Sequence, residues 1–590
     1  MEIKRTFDLL ERYREHFMKE DALAVKQNGK WIKYSTQQYL DYSYHFSMGL
    51  LASGFKKGDK IATISNNRPE WNFIDMGMAM IGVVHVPLYT SLSCPDYEKI
   101  LRHSDVRFVF LSDSKLLANL KPVIEKVENI ENIYTFDSIE NEKNWLELAE
   151  LGEKSEDTHK ATFEKLRSGI KPNDLASLIY TSGTTGTSKG VMLSHTNLVS
   201  NFLAAAEIFD LKPEQRYLSI LPLCHVGGRM GNFQTQFSGS SIYYAENMGT
   251  IAADMRDIKP HGFDAVPRIL EKIFDTILTK GKKLTGMKKA IFFWAVNIGL
   301  KYKPPGESSW FYRVRLGIAD KLIFSKWRDA IGGNIKLVGC GGAALQPRVE
   351  RIFWAAGIKV LNLYGLTETS PVITINRKFK PELRLGSVGS LIDGVDMKIA
   401  DDGEILCKGH NVMMGYYKNP ELTKKAFNKD GWFCTGDIGR IEGDKFLYVT
   451  DRKKEIFKLS SGKFIVPQVI ENKFKESLFI EQIMVIGEHE KFASALIAPD
   501  YLFVKEWCNA NKISGNNNAE LLTNSQLIDA FKKEVQKYND TIADFEKINR
   551  FKLVSDVWSP ASGELSPTLK MKRKFITEKY QGLIDQIYIK

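Results

Sequence analysis

Paired cysteines are missing from this 590-residue chain: Cys94, Cys224, Cys340, Cys407, Cys434 and Cys508 are scattered, with no C-x-x-C pair. That argues against a disulfide framework and against a zinc site, and it suits a reducing compartment. A long apolar run is missing too. The most apolar segment, Ala290–Leu300, is too short to span a bilayer; it reads first as a core helix and second as an interfacial one. The N-terminal Met1–Asp8 carries charge but no following apolar stretch, so no signal peptide is expected. Internal repeats, long low-complexity tracts, zinc fingers and RNA-binding motifs are also lacking, which removes nucleic acid as an expected partner. The expectation is a cytoplasmic protein. Peripheral contact at the inner face of a membrane stays open, because 82 basic against 71 acidic residues leave a net charge of +11.

What remains is an ordinary globular composition, 43% hydrophobic and 26% charged. The length is too great for one core, so two to four domains are expected. From Gly58 to Val338 short apolar strands alternate with helical segments. Lys60–Ser65, Arg107–Leu111 and Tyr217–Leu221 read as strands, and Trp71–Ile81 and Arg268–Leu278 as amphipathic helices. Such alternation predicts an α/β fold with largely parallel sheets. After about residue 385 shorter strands and glycine-rich turns predict a small β-rich subdomain running to about 450. A charged stretch, Asp451-Arg-Lys-Lys-Glu455, then reads as a hinge, which divides the chain into a large domain, 1–450, and a mobile small α+β domain, 451–590.

The most informative segment is Tyr180-Thr-Ser-Gly-Thr-Thr-Gly-Thr-Ser-Lys-Gly190. Gly183, Gly186 and Gly190 allow backbone amides to converge on one concavity. Thr181, Ser182, Thr184, Thr185, Thr187 and Ser188 add hydroxyl donors and Lys189 a positive charge. The loop suits a polyphosphate. Its spacing is not that of a Walker A loop, and its flanks read as strands, Leu175–Tyr180 and Gly190–Leu193, rather than strand then helix. A helix follows with Ser194 or Thr196 as N-cap and Leu198, Phe202, Ala205 and Ile208 on its apolar face. The bland alternative, a flexible linker, fits poorly between two apolar strands.

Three further segments fit a nucleotide–carboxylate site. Tyr364-Gly365 presents an aromatic face for a base, and Glu368 a hard oxygen ligand for Mg2+. Gly339–Leu345 forms a turn poor in side chains where a ligand can touch backbone. Asp437, after the tight turn of Trp432–Gly439, can bind both ribose hydroxyls. Each alone is a common structural feature.

Together, and in this order, they resemble the adenylate-forming superfamily of acyl-CoA synthetases, peptide-synthetase adenylation domains and luciferase. The family's phosphate loop matches Tyr180–Gly190, its Y-G-x-T-E motif Tyr364–Glu368, its T-G-D motif Thr435–Asp437 and its D-R-x-K-E motif Asp451–Glu455. Val266–Lys272, Phe292–Ala295, Ser461–Pro467 and Gly563–Lys570 resemble segments of long-chain fatty acid–CoA ligases. One departure is Leu221-Pro-Leu-Cys-His-Val-Gly-Gly-Arg229, where the usual pattern has Phe-Glu in place of Gly227-Gly228; two bulky positions become glycines close to the expected acyl pocket.

The resemblance implies an ATP-dependent ligase that makes acyl-AMP and pyrophosphate, then passes the acyl group to coenzyme A. It implies that Thr181–Lys189 hold the β- and γ-phosphates and that Glu368 with Thr181 positions Mg2+. Tyr364, with Gly365 and Thr367 of its motif, would stack adenine beside Gly342, Ala343 and Ala344. Asp437 and Arg452 would grip the ribose, His225 would polarise the carboxylate end of the acyl site, and Lys570 would bridge carboxylate and α-phosphate. Lys572 is the fallback for Lys570, whose basic neighbourhood could equally be a solvated or lipid-facing patch. Rotation at Asp451 would bring the Gly462 loop to the pantetheine channel. Competing readings are an acyl-AMP ligase loading a carrier protein, a ligase for medium-chain or aromatic acids, an inactive binding module, and a P-loop ATPase. Oligomeric state is not legible.

Overall fold

The computed structural model describes residues 2–182, 188–247, 249–566 and 569–588, with the backbone alone at Ser182. The expected phosphate contacts of Gly183, Thr184, Thr185, Gly186 and Thr187, and of the Ser182 side chain, lie outside the described residues. The chain is α/β, and it divides into two compact units: residues 1–397, 407–433 and 443–446 form the first, and 398–406, 434–442 and 447–590 the second. Parts of the β-rich stretch therefore group with the C-terminal segment.

In the first unit two sheets carry the architecture. One runs Gly415–Tyr416, Ser188–Ser194, Leu175–Ser182, Val84–Leu88, Lys60–Ile64, Phe108–Leu111, Asn132–Thr135. Its interior pairs are parallel, while the pairs around Ser188–Ser194 are antiparallel. The other sheet has nine strands, with a parallel centre formed by Lys359–Gly365, Leu337–Cys340, Gly262–Ala265, Arg216–Ser219 and Ser241–Tyr244. These strands are short and apolar because both faces are covered by helices. Ligands in such sheets bind beyond the carboxyl ends of the strands, and those ends here carry Gly341–Ala344, Tyr364–Glu368 and His225.

The phosphate loop joins two strands, as expected, although the second begins at Ser188 and so includes Lys189. Ser194 is the helix N-cap that the sequence left open against Thr196. Its hydroxyl accepts from Asn197 N at 3.1 Å, while Asn197 Oδ1 accepts from Ser194 N at 2.9 Å. The helix expected over Trp71–Ile81 spans Pro69–Met80, but it is not amphipathic: every residue in it is buried. Ala290–Leu300 lies in the helix Gly286–Leu300, which packs Phe292, Ala295, Val296, Ile298 and Gly299 into the interior, as a core helix would. No helix among the described residues is long and apolar enough to cross a membrane.

The second unit contains most of a four-stranded sheet whose last strands are Phe433–Glu442 and Phe446–Arg452. Beyond it, Ile480–Ile486, Ser494–Pro499 and Arg550–Leu553 form a three-stranded sheet. That sheet packs with the helices Pro467–Phe474, Tyr501–Ala510 and Ser525–Asn539 around Ile470, Phe474, Ile483, Ile497, Val504 and Phe531.

Candidate active site

Thr181 and Lys189 sit opposite one another in antiparallel register at the mouth of the phosphate loop. The Lys189 ammonium lies 5.2 Å from the Tyr416 ring centroid. Tyr416 in turn donates its hydroxyl to Glu368 Oε1 at 2.9 Å. Burial, and then the Glu368 charge, push the Tyr416 phenol pKa far up, so the phenol keeps its proton and remains a donor. The Glu368 main chain is held as well, its carbonyl accepting from Met413 N at 2.8 Å. Strand pairing of Tyr416 with Val191 and of Gly415 with Met192 brings this assembly to the phosphate loop. The structure thus collects Thr181, Lys189 and Glu368 around a residue that sequence reasoning missed.

The helix His195–Phe209 supports the same corner. Asn197 Nδ2 donates to the carbonyls of His410 and Val412 at 2.7 and 2.9 Å, just before Tyr416 in the chain. One turn on, Asn201 brackets Val372, donating to its carbonyl at 2.8 Å and accepting from its amide at 3.1 Å.

Beside this corner the parallel strands ending at Cys340 and Gly365 run next to each other, with Cys340 opposite Asn362. A Cβ on Gly365 would lie 1.8 Å from the Pro371 carbonyl oxygen, so that position requires glycine, while one on Gly341 would press on the Leu363 side chain, 2.3 Å from Cδ1. Gly342 has φ +83° and leads into the exposed Ala343 and Ala344. Tyr364 is largely buried at the end of its strand, and Thr367 and Glu368 follow in a short 3-10 turn.

His225 caps the helix Val226–Phe237, its Nδ1 accepting from Gly227 N at 3.1 Å. Its ring lies 6.5 Å from that of Tyr89, centroid to centroid. The loop before it is clamped by Asn67, which donates to the Leu221 carbonyl at 2.7 Å and accepts from Leu223 N at 2.9 Å. Asn67 stands just before the helix Pro69–Met80 and so ties the start of that helix to the His225 loop. The two glycines at 227 and 228, where the usual pattern has bulky residues, meet different surroundings. A Cβ on Gly228 would sit 2.3 Å from the Pro222 carbonyl oxygen, so Gly228 serves a close backbone approach. A Cβ on Gly227 would meet only the His225 ring, at 3.0 Å.

The helix is anchored deeper by Arg229, whose Nη2 lies 2.6 Å from Asp75 Oδ1 and whose Nη1 donates to Ser177 Oγ at 2.5 Å. The same Asp75 oxygen accepts from His85 Nδ1 at 2.6 Å, and His85 Nε2 faces Thr63 Oγ1 at 2.8 Å. Burial alone would raise the Asp75 pKa, but the charge of Arg229 and the bond from His85 hold it below the usual carboxylate range. Burial lowers that of His85, which leaves a neutral imidazole beside an Arg–Asp ion pair.

In the second unit the structure brings Asp437 and Arg452 together, Arg452 Nε lying 3.1 Å from Asp437 Oδ1. The Thr435 hydroxyl accepts from Asp437 N at 3.1 Å and donates to the Ile405 carbonyl at 2.7 Å, which fixes the tight turn. Asp451 is buried, accepting from Arg452 N at 2.6 Å and from Gln468 N at 3.1 Å, and burial pushes its pKa up to about 6. Gly462, with φ +85°, turns the hairpin between Phe457–Lys458 and Phe464–Ile465. Lys570 is exposed on a turn closed by Ser566, whose amide donates to the Lys570 carbonyl at 2.7 Å and whose hydroxyl accepts from Lys570 N at 3.0 Å. Of its basic neighbours, Arg573 is locked internally: Nη2 contacts both Glu471 oxygens at 2.6 Å, and Nε contacts Glu455 at 2.9 Å.

Comparison with known proteins agrees with this architecture. The chain is 31% identical over 617 residues to long-chain-fatty-acid–CoA ligase 5 of Rattus norvegicus, covering 96% of this chain and 87% of that one. It is 30% identical over 572 residues to a long-chain-fatty-acid–CoA ligase of Mycobacterium bovis, covering 95% and 93%. Among solved structures, the A domain of carboxylic acid reductase from Segniliparus rugosus, in complex with AMP and a co-purified carboxylic acid, superposes with a TM-score of 0.74 at 20% identity, over 99% of this chain and 94% of that one. The anthranilate CoA ligase AuaEII, in complex with anthranoyl-AMP, gives 0.70 at 17%, over 98% and 97%. The sequence profile of the AMP-binding enzymes matches residues 11–417 and that of the AMP-binding enzyme C-terminal domain matches 454–590, so this chain belongs to the AMP-binding enzyme family.

Proposed function

We propose that this protein is an AMP-forming fatty acid–CoA ligase that favours long acyl chains. The observation that carries the reading is the Lys189–Tyr416–Glu368 assembly, which sets one cation and one oriented carboxylate at the mouth of a glycine-rich loop. The preference for a long acyl chain is supported by relatives named long-chain-fatty-acid–CoA ligase at about 30% identity over almost the whole chain.

A free carboxylate is a poor acyl donor because its leaving group would be oxide. In the first step a carboxylate oxygen attacks the α-phosphorus of ATP, the bond to the bridging α–β oxygen breaks, and pyrophosphate leaves. Two anions must approach, so catalysis needs cations and oriented amides more than a general base. Thr181–Lys189 would hold the β- and γ-phosphates. Glu368 and the Thr181 hydroxyl would supply hard oxygen donors to Mg2+, an ion bound mainly through substrate phosphates with few carboxylates. When bound, the ion neutralises phosphate charge.

Tyr364, Gly365 and Thr367 with Gly342–Ala344 would take the adenine, and Asp437 with Arg452 the ribose. His225 would face the carboxylate, and Lys570 would bridge it to the α-phosphate. In the second step the CoA thiol loses its proton and attacks the acyl carbonyl, and AMP leaves. Rotation of the small domain at Asp451 would remove Lys570 and bring in the Gly462 hairpin.

The test is carboxylate-dependent ATP–pyrophosphate exchange across short, medium, long and aromatic acids, followed by CoA- or carrier-dependent release of AMP. Exchange with a maximum at long acids and acyl transfer to CoA are expected. A maximum at benzoate or acetate removes the long-chain assignment but leaves the chemistry, and transfer only to a holo-carrier protein replaces CoA as acceptor.

A further inference from the structure

Next to the core helix Gly286–Leu300 lies a second helix, Trp310–Ala319, which continues through a π-helical turn, Asp320–Phe324. The two run antiparallel: the Tyr312 hydroxyl donates to the Ile298 carbonyl at 2.9 Å, and the Arg315 guanidinium lies 5.9 Å from the Trp294 ring centroid. Ala319 and Phe324 are buried on the inner side. The outer side is unusual. Trp310, Phe311, Val314, Ile318 and Leu322 are 69%, 59%, 49%, 47% and 41% exposed. At 3.6 residues per turn they fall within an arc on the order of 100°, a continuous apolar stripe. Met287, 79% exposed at the start of the neighbouring helix, adds to it.

Charge around the stripe is one-sided. From Thr276 to Phe324 the chain carries ten lysines and arginines against two acids, Glu307 and Asp320, and both acids are already paired, with Lys380 and Arg328. Lys288 and Lys289 follow Met287, and Arg313 and Arg315 interleave with the stripe, all four exposed. An apolar stripe rimmed by cations on a helix lying flat on the surface is the arrangement that seats in a lipid interface. Trp310 and Phe311 supply the aromatic groups suited to headgroup depth. A second copy of this surface would set like charges face to face, which disfavours self-association through it.

We infer that the helix Trp310–Phe324, with Met287, Lys288 and Lys289 beside it, is a docking surface for anionic lipid bilayers. The surface goes beyond the ligase reading and does not depend on which acid is activated. It places the enzyme on the membrane by a helix that lies in the interface rather than by one that spans it.

The test is sedimentation of the full-length protein with vesicles of phosphatidylcholine alone and with about one third phosphatidylglycerol, at low and high salt. Binding to the anionic vesicles, weakened by salt, is expected for the wild type. Trp310→Glu with Phe311→Glu, at exposed positions, should lower the apparent affinity at least about tenfold. Lys288→Glu with Lys289→Glu should do so on anionic vesicles. Thermal melting and soluble-substrate exchange unchanged in both double variants show that they fold. Failure of the wild type to sediment overturns the inference, as does equal sedimentation of both folded variants. So does self-association of the wild type that the aromatic variant loses while lipid binding stays intact, which would make the stripe a protein interface.

Discussion

Arg229 Nη2 and Asp75 Oδ1 are 2.6 Å apart, 154 residues apart in sequence and sealed from solvent. The pair ties the helix that begins at His225 to the helix Pro69–Met80, so the position of His225 depends on an ion pair it does not touch. Removing one partner strands the other charge in the core, which costs about 3–5 kcal/mol.

Arg229→Met is therefore expected to lower the melting temperature strongly, and Asp75→Asn with Arg229→Met should recover part of that loss. As a positioning residue, Arg229 should act on one substrate. At a temperature where the variant is folded, KM for the carboxylic acid rises while KM for ATP stays. Equal changes in both constants would make Arg229 a purely structural residue.

The Tyr416 hydroxyl orients Glu368 with a bond to a charged acceptor, a class worth about 1.5–3 kcal/mol. Tyr416→Phe should raise KM for MgATP and the Mg2+ concentration for half-maximal exchange, by about tenfold or more, and leave KM for the acid unchanged. Steady-state exchange with Mg2+ titration reads this directly. An unchanged Mg2+ dependence would separate Tyr416 from the metal and nucleotide end.

The two strands that flank Gly183–Thr187 and the strand that ends at Gly365 were legible because they rest on a local rule, the apolar run bounded by glycine. Tyr416 was not, since it sits in a two-residue strand 48 residues after Glu368 and meets it only through pairing with Val191. Gly228 stood out only as a departure from the usual pattern, while its need comes from the Pro222 carbonyl beside it. Trp71–Ile81 read as amphipathic, yet Asn72 and Asp75 are buried partners within the core rather than a solvent face. Such relations belong to tertiary packing, and no local pattern announces them.

Asp264 is lodged between two glycines: a Cβ on Gly231 would meet its Oδ2 at 1.9 Å, and one on Gly339 its Oδ1 at 2.2 Å. Burial pushes its pKa up to about 7. The folded protein therefore keeps a proton that the unfolded chain releases near pH 4, and between about 4 and 7 the folded state binds more protons. Stability should fall as pH rises through that window, by up to about 4 kcal/mol from this group, and then level off. Asp264→Asn should flatten that part of the profile in urea unfolding from pH 4 to 8. His195 contributes the opposite slope, since burial lowers its pKa to about 4 and stability falls as pH drops below about 6.5. An Asp264→Asn profile parallel to the wild type would show that Asp264 is ionised in the folded state across the range.

Lys570, Lys572, Arg573 and Lys574 form one basic run, and the structure sorts them by what holds them. Arg573 is engaged by Glu455 and Glu471, so Arg573→Ala should destabilise the small domain and impair both half-reactions together. The Lys570 main chain exchanges hydrogen bonds with Ser566, and its side chain is exposed to solvent. Lys570→Ala should therefore melt like the wild type. It should lose acyl-AMP formation by about a hundredfold or more, the scale for removing a group that stabilises transition-state charge. Conversion of supplied acyl-AMP and CoA to acyl-CoA should survive, because the proposed rotation takes Lys570 away before the thiol attacks. Lys572→Ala serves as the control and should leave both half-reactions near wild type. If Lys572→Ala shows the selective loss and Lys570→Ala does not, the roles exchange. If Lys570→Ala lowers both half-reactions equally at unchanged melting temperature, the bridging role is wrong and the turn serves the site in another way.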